Sequence, residues 1–538
     1  MNFGVEINLF DLVILGGNVN FGDLSESTIL NIGITDEKVT YLGNEKIDGK
    51  EVIDASGYEV TPGFIDLHTH SDISFIVDPD ADSKLVQGVT FELMGNCGMS
   101  FCAPLSENNK YQLQERLSRY GFEKKNNWDN FDDWLGEIEK NIPSINVAAQ
   151  IGHGNLRSYV MGMEARQANP EEIARMQDEI QKACDQGILG FSTGLWYAPG
   201  SYSSAEEIIE LAKTASKNNI LYSSHIRSES DDSSGLFPAH SEAIEIARRS
   251  GVRVQISHVK SVGPKFWGRG YELIEGIEKA RNESLDIAGD QYPYHWSSTP
   301  ISGCMFPRWS LEGGRTKTLN RMQDLNVRES IKNETTNYIN RFHGPEGCVL
   351  ADYAINPNFE GLNLLEISKE LKTTPEEAVM QLYEKSEGSF ILHSMDENDV
   401  DEIAKYKYMC VASDGNSLRN TGPLSSGKPH PRSYGTNTRF IEQFVSKKKI
   451  VNFQEAIFRM TSYPAERLSL KKRGKIALSY FADINIFKIN EIKENATYVS
   501  PHQYSGGMKN VIVNGKISVE NGKKIKGRNG KVVRSFSG

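Results

Sequence analysis

Through the middle of the chain, short apolar runs alternate with longer stretches of mixed polar and apolar residues. That pattern predicts βα units arranged around a parallel sheet. Eight runs qualify as strands, at residues 64–70, 90–96, 146–153, 190–195, 220–225, 253–258, 284–291 and 408–414. Helical stretches fill intervals between them at 170–186, 204–218, 239–250 and 271–282. Eight such strands predict an α/β fold, a closed (β/α)8 barrel of the TIM type. Two intervals exceed what one helix requires. Residues 105–141 are rich in Asn, Lys and Asp and are expected to carry extra helix. Residues 297–373 contain Pro300, Pro307 and Gly313-Gly314 and are expected to form an inserted lid or subdomain near the barrel mouth.

The two ends of the chain follow another rhythm. Apolar segments at 11–15, 29–34 and 39–43, with Gly16-Gly17 read as a turn, predict an antiparallel meander. Residues 482–487 and 510–516 repeat the character near the other end, separated by turns containing Gly and Asn. The expectation is one small β-sandwich-like domain built from 1–61 and 468–538, with the barrel spanning 62–467. No internal repeat and no low-complexity tract interrupts the chain.

Composition narrows the class. With 538 residues, 24% charged and 38% hydrophobic, the chain reads as an ordinary globular protein long enough for more than one domain. Sixty Lys and Arg against 71 Asp and Glu give a net charge of −11 without a dense basic cluster, so nucleic acid is not an expected partner. Apolar stretches such as 10–16 and 188–195 fall short of the ~20 residues that cross a bilayer, so no membrane span is expected. Residues 1–6 show no cationic segment leading into an apolar one, which points to the cytoplasm. The six cysteines are scattered, and each by itself reads as a small buried hydrophobe.

The candidate chemistry lies at the ends of the predicted strands. Side chains alternate along a strand, so His68-Thr69-His70 sends two imidazoles to one side, where they can share an ion. His225 and His258 end the fifth and sixth strands, Asp414 ends the eighth, and Cys97 closes the second. Each has an ordinary structural reading: a core histidine, a turn aspartate before Gly415, a packed cysteine before Gly98. One zinc site accounts for all six together, because imidazole, thiolate and carboxylate are zinc's preferred donors. Catalytic barrels assemble their sites at this same end.

The segments 62–70 (PGFIDLHTH), 95–98 (GNCG), 152–157 (GHGNLR), 192–200 (STGLWYAPG), 257–260 (SHVK) and 413–415 (SDG) resemble the N-acyl-D-amino-acid deacylases, or D-aminoacylases, of the amidohydrolase superfamily. The likeness spans nearly the whole chain. It implies a metal-bearing barrel with a small β domain from both termini. It also implies a tightly bound zinc on Cys97, His225 and His258, with Cys97 standing where many relatives carry a modified lysine. A second, weaker metal position would use His68, His70 and Asp414. Pro429-His430-Pro431-Arg432 matches the family motif whose arginine meets the substrate's α-carboxylate, and Lys260, Tyr292 and Tyr197 complete the implied pocket. One departure stands out: relatives commonly carry Gly at the position of Ser479.

The implied reaction is zinc-dependent hydrolysis of an N-acyl-D-amino acid to a carboxylate and a free D-amino acid. Zinc lowers the pKa of bound water from 15.7 to about 7, so a metal-activated hydroxide attacks the amide, and Asp414 serves as general base and then acid. Arg432 offers a planar fork for a carboxylate, and Lys260 adds a point charge. His153 and Arg157 stay open between shaping a loop and touching substrate, Arg227 and Glu229 are placed as orienting residues, and His295 and Trp296 as lining. Two other readings remain. A cyclic amide or ureide hydrolase of the dihydroorotase or hydantoinase kind would usually want the bridging lysine, and a non-catalytic binding barrel would be expected to have lost ligands. Preference for D over L substrates rests on the resemblance alone, and neither the side-chain preference nor the oligomeric state is legible.

Overall fold

The computed structural model describes residues 9–102, 104–122, 128–232 and 234–536. Residues 1–6, on which the reading of the N-terminus rested, lie outside it, as does part of the 105–141 interval. The eight predicted strands form one parallel sheet: Phe64–Asp66, Val89–Met94, Asn146–Gly152, Gly190–Gly194, Leu221–His225, Val254–Ile256, Ile287–Gln291 and Met409–Val411. Helices Pro170–Asp185, Ala205–Lys217, Leu236–Ser250 and Gly270–Asn282 cover it where the periodicity placed them. Pro170–Asp185 begins at Asn169, whose side chain accepts from the Glu172 amide while Glu172 bonds back to it, a capping box that fixes the start.

The first and eighth strands are not joined by a full ladder. The barrel closes past their ends, where Thr69 bridges Gly415, Asp414 N donates to His68 O at 2.9 Å and His70 N donates to Gly415 O at 2.8 Å. The seam is therefore made by the candidate site itself.

The ends of the chain share a nine-stranded sheet, in which Ile484–Phe487 pairs antiparallel with Glu59–Pro62 and joins the two termini. Phe10–Val19, Thr28–Thr35 and Lys38–Gly43 make the predicted meander. Gly16-Gly17 departs from expectation. Instead of a turn, the pair forms a bulge inside one long strand, where the register shifts between Ile14 and Gly17 and Gly16 adopts φ +65°. Glycine enters that left-handed region without the Cβ penalty, so the strand continues. Ser479 has φ +68° and bears that cost.

In the 105–141 interval two helices appear, Glu107–Arg119 and Phe131–Asn141. A three-stranded antiparallel sheet of Trp296–Pro300, Ser389–His393 and Cys348–Asp352 stands at the barrel mouth, so its central strand lies beyond residue 373. It packs with helices around its own apolar core, including Ile301, Phe306, Ile331, Leu350 and Phe390. No helix among the described residues is long and apolar enough to cross a membrane.

Candidate metal centre and its surroundings

Each candidate donor lies at or just past the C-terminal end of a barrel strand, and all are buried except His70, which is partly exposed. Cys97, His258 and Asp414 share an unusual backbone, with φ of +53°, +35° and +49°. For residues with a Cβ this conformation costs about 1–2 kcal/mol. It persists where the surroundings over-determine it, and such residues gather at functional sites.

The donors converge. Cys97 Sγ lies 3.3 Å from His68 Nε2 and 3.4 Å from His258 Nε2. Asp414 Oδ1 is 3.4 Å from His68 Nε2 and 2.9 Å from His70 Nε2. His68, Cys97, His258 and Asp414 each offer a ligand atom within 4.8 Å of the others, and so do His225, Glu229 and His258, with His258 common to both groups. The His225 and His258 rings stand 4.5 Å apart.

Burial and charge oppose each other here. Burial pushes the Cys97 thiol up, but the charge on His68 and His258 outweighs it and holds Cys97 well below the usual thiol range. Burial likewise raises Asp414, and Arg432 and His258 overcome it to keep the carboxyl well below its ordinary value. Burial pulls His70 down, yet its bond to Asp414 lifts it to about 9. At His225 burial prevails, and the imidazole falls below its ordinary value.

His225 also provides the test of fit for a metal. It is buried, and neither ring nitrogen has a hydrogen-bond partner. An unsatisfied buried polar group costs about 1–3 kcal/mol. A neutral imidazole grouped with His258 and Glu229, where His258 also belongs to the group holding the low-pKa Cys97 thiol, is a donor arrangement that zinc satisfies. The residues fit the ion.

Two cationic side chains, each paired with a carboxylate, stand beside the donors. Arg432 Nη1 lies 2.7 Å from Asp414 Oδ2, and Nη2 donates to Ser298 O at 3.3 Å. Arg432 and Lys260 both approach the Tyr292 ring, at 4.8 and 5.8 Å from its centroid, and the buried Tyr292 hydroxyl has no partner. Lys260 Nζ is 2.7 Å from both Glu229 Oε1 and His258 Nδ1. Tyr197 packs edge-on to His225 and bonds Thr299 Oγ1 at 2.9 Å, so the inserted sheet reaches the site. Trp196 donates to Gly303 O in the same insertion.

Other residues named from sequence resolve. His153 bonds Glu207 at 2.8 Å and Arg157 pairs with the same carboxylate, which favours loop shaping. Arg227 is held by Glu242 at 2.8 Å, away from the donors, whereas Glu229 is drawn into them. His295 and Trp296 join a cluster of aromatic rings with His393 and Tyr498 beside His430, in which Trp296 stacks on His393.

Asp290 was missed. Its Oδ1 lies 3.0 Å from His68 Nδ1 and accepts from His258 N at 2.7 Å, so one carboxylate orients two candidate ligands. The ring contact to His68 is how ligating histidines are usually fixed, and the bond to His258 holds its backbone. The available signal was its place at the end of the seventh strand, two residues before Tyr292.

A parallel barrel with histidines, a cysteine and an aspartate at its strand ends defines the amidohydrolase class of metal-dependent hydrolases. Residues 51–219 match the model of the amidohydrolase family, Amidohydro_3. The chain is 31% identical to N-acyl-D-glutamate deacylase and 30% identical to D-aminoacylase, both from Alcaligenes xylosoxydans xylosoxydans. Those alignments cover 94% of this chain and 93% and 94% of the relatives. Its structure is similar to the crystal structure of N-acyl-D-glutamate deacylase from Bordetella bronchiseptica, complexed with zinc and a phosphonate mimic of the tetrahedral intermediate. The TM-score is 0.83 at 29% identity, covering 98% of this chain and all of that one. The chain belongs to the N-acyl-D-amino-acid deacylase family of amidohydrolases.

Proposed function

We propose that the protein hydrolyses the amide bond of N-acyl-D-amino acids, with zinc held by Cys97, His225 and His258 and a weaker metal position at His68, His70 and Asp414. One observation carries the reading: a buried donor set with an unsatisfied His225 adjoins Arg432 and Lys260, which both approach Tyr292, whose buried hydroxyl has no partner. The family's activity and zinc-bound relative supply the substrate class and the ion.

When bound, zinc supplies a Lewis acid that polarises the scissile carbonyl and makes water a competent nucleophile near neutral pH. The chain's residues do the rest. The substrate's α-carboxylate takes the Arg432 guanidinium and the Tyr292 hydroxyl, with Lys260 adding positive charge. Asp414 accepts the attacking water's proton and returns it to the departing nitrogen. Asp290 holds His68 and His258 in register for their ligand roles. Tyr197 and the inserted strand carrying Thr299 close the pocket, and we assign the choice of substrate side chain to this insertion.

The test is amine release from matched N-acetyl-D- and N-acetyl-L-amino acids of Leu, Met, Phe, Glu and Asp, with metal content measured on the same sample. Chelator-sensitive release from the D series alone is the expected result. Hydrolysis confined to the L series, or zinc-loaded protein inert toward both, would overturn the assignment.

A further inference from the structure

Beneath the donors lies a second buried cluster that the proposed chemistry does not use. Asp66 and Glu92 are directly opposite each other on the first and second barrel strands, and both are fully buried. Like charges in that register repel. Lys84, on the short helix Asp82–Leu85, resolves the conflict from a position that is itself fully buried. Its Nζ lies 2.6 Å from Asp66 Oδ2 and 3.0 Å from Glu92 Oε1, and it donates to Ser413 Oγ at 2.6 Å.

The third contact leads to the site. Ser413 immediately precedes Asp414, and its Oγ also accepts from Gly415 N at 3.1 Å. Asp66 Oδ1 accepts from Ser413 N at 3.0 Å, while Glu92 Oε2 accepts from Ser417 Oγ at 2.9 Å. Lys84 and its two carboxylates thus grip residues 413–417 where the chain turns through Asp414 at φ +49°. They do so along the seam that lacks a full ladder between the first and eighth strands. Burial pulls the Lys84 ammonium down, and Asp66 and Glu92 outweigh it and hold it above its ordinary value, so it stays charged.

We propose that Lys84 is a positioning residue: acting through Ser413, it holds the Asp414 carboxylate against His68 and His70 and closes the barrel at the site. The inference rests on the assignment of Asp414 to proton transfer and to the weaker metal position. The ammonium has three donors, and it spends the third on Ser413, so the cluster is tied to the residue beside Asp414 as well as to the sheet. Residues that orient ligands typically change metal affinity or activity by about 10–100-fold when removed.

The experiment is a double-mutant cycle with Lys84→Met, Ser413→Ala and the pair, read as kcat, KM, thermal midpoint and zinc titration of the metal-free protein. Ser413→Ala leaves the Lys84, Asp66 and Glu92 cluster intact and serves as the fold-tolerant arm. It is expected to lower kcat about 10-fold and weaken the second metal position to a similar extent, with the tight position and KM nearly unchanged and the midpoint lowered only as far as two orphaned buried donors, Lys84 Nζ and Gly415 N, require. Lys84→Met is expected to lose more, about 100-fold, and the pair no more than Lys84→Met alone, since both changes break one linkage. Wild-type kcat and zinc affinity in Ser413→Ala, or losses that multiply in the pair, would overturn the proposal. The zinc titration reads the linkage even if the wild-type protein releases no amine from any N-acyl-D-amino acid, so failure of the substrate assignment is separable from failure of this one.

Discussion

Two buried histidines at the ends of barrel strands, His153 and His225, end in opposite circumstances. His153 follows the third strand and spends its Nε2 on Glu207, which also takes Arg157, and Arg157 reaches on to the Arg166 carbonyl. Its remaining nitrogen has no partner, but no other ligand-type side chain is grouped with it among the described residues. His225 ends the fifth strand with both nitrogens unsatisfied, beside His258 and Glu229. Residue type and position are alike; what differs is whether the imidazole itself is hydrogen-bonded to a carboxylate. In the His153 cluster one cation and one carboxylate neutralise each other, so its worth is stability. In the His225 set both ring nitrogens are left over, the condition that the proposed metal role requires.

Three substitutions break that contrast at different depths. Asp414→Asn removes the proposed proton acceptor and leaves Cys97, His225 and His258 in the sequence. Turnover should fall about 10²–10⁴-fold with tightly bound zinc retained, as amine release and metal analysis on one sample will show. Arg432→Met should lower kcat/KM about 10–100-fold for acyl amino acids with a free carboxylate, equivalent to about 1.5–3 kcal/mol for a charged hydrogen bond. Substrates whose carboxylate is an amide should lose far less, and equal losses in the two series would remove Arg432 from the clamp.

Glu207→Gln tests the His153 cluster. It should leave kcat and zinc content near wild type while lowering stability by about 3–5 kcal/mol, read from denaturant unfolding. Burial raises Glu207, but His153 and Arg157 outweigh it and hold the carboxyl at about 2. A depressed pKa means that its stabilisation is present above the unfolded value of about 4.3 and is lost as pH falls from there toward 2. The acid limb of the stability curve should therefore be flatter in the variant.

Much of the barrel was legible because its signals are local. Apolar runs of strand length and helices such as Pro170–Asp185, with its Asn169 cap, declare themselves within a few residues. The donors were legible for the same reason, since each ends such a run. What escaped depends on distant partners. Asp290 becomes an orienting residue only when His68, 222 positions away, comes against it. Lys84 resembles any helical lysine until Asp66, Glu92 and Ser413 surround it. The strand Ser389–His393 completes the inserted sheet from beyond the proline- and glycine-marked interval, and nothing in its five residues announces that pairing. Gly16-Gly17 misled for a related reason: a glycine pair marks a left-handed backbone, and only the neighbouring strand decides between turn and bulge.

The central claim is the proposed zinc set of Cys97, His225 and His258, and X-ray absorption at the zinc edge tests it most directly. Protein carrying one zinc should show a single sulfur neighbour at about 2.3 Å together with imidazole nitrogens at about 2.0–2.1 Å. The sulfur shell should vanish in Cys97→Ser. Zinc bound through nitrogen and oxygen alone in the wild-type protein, or a sulfur shell that survives Cys97→Ser, would contradict the account.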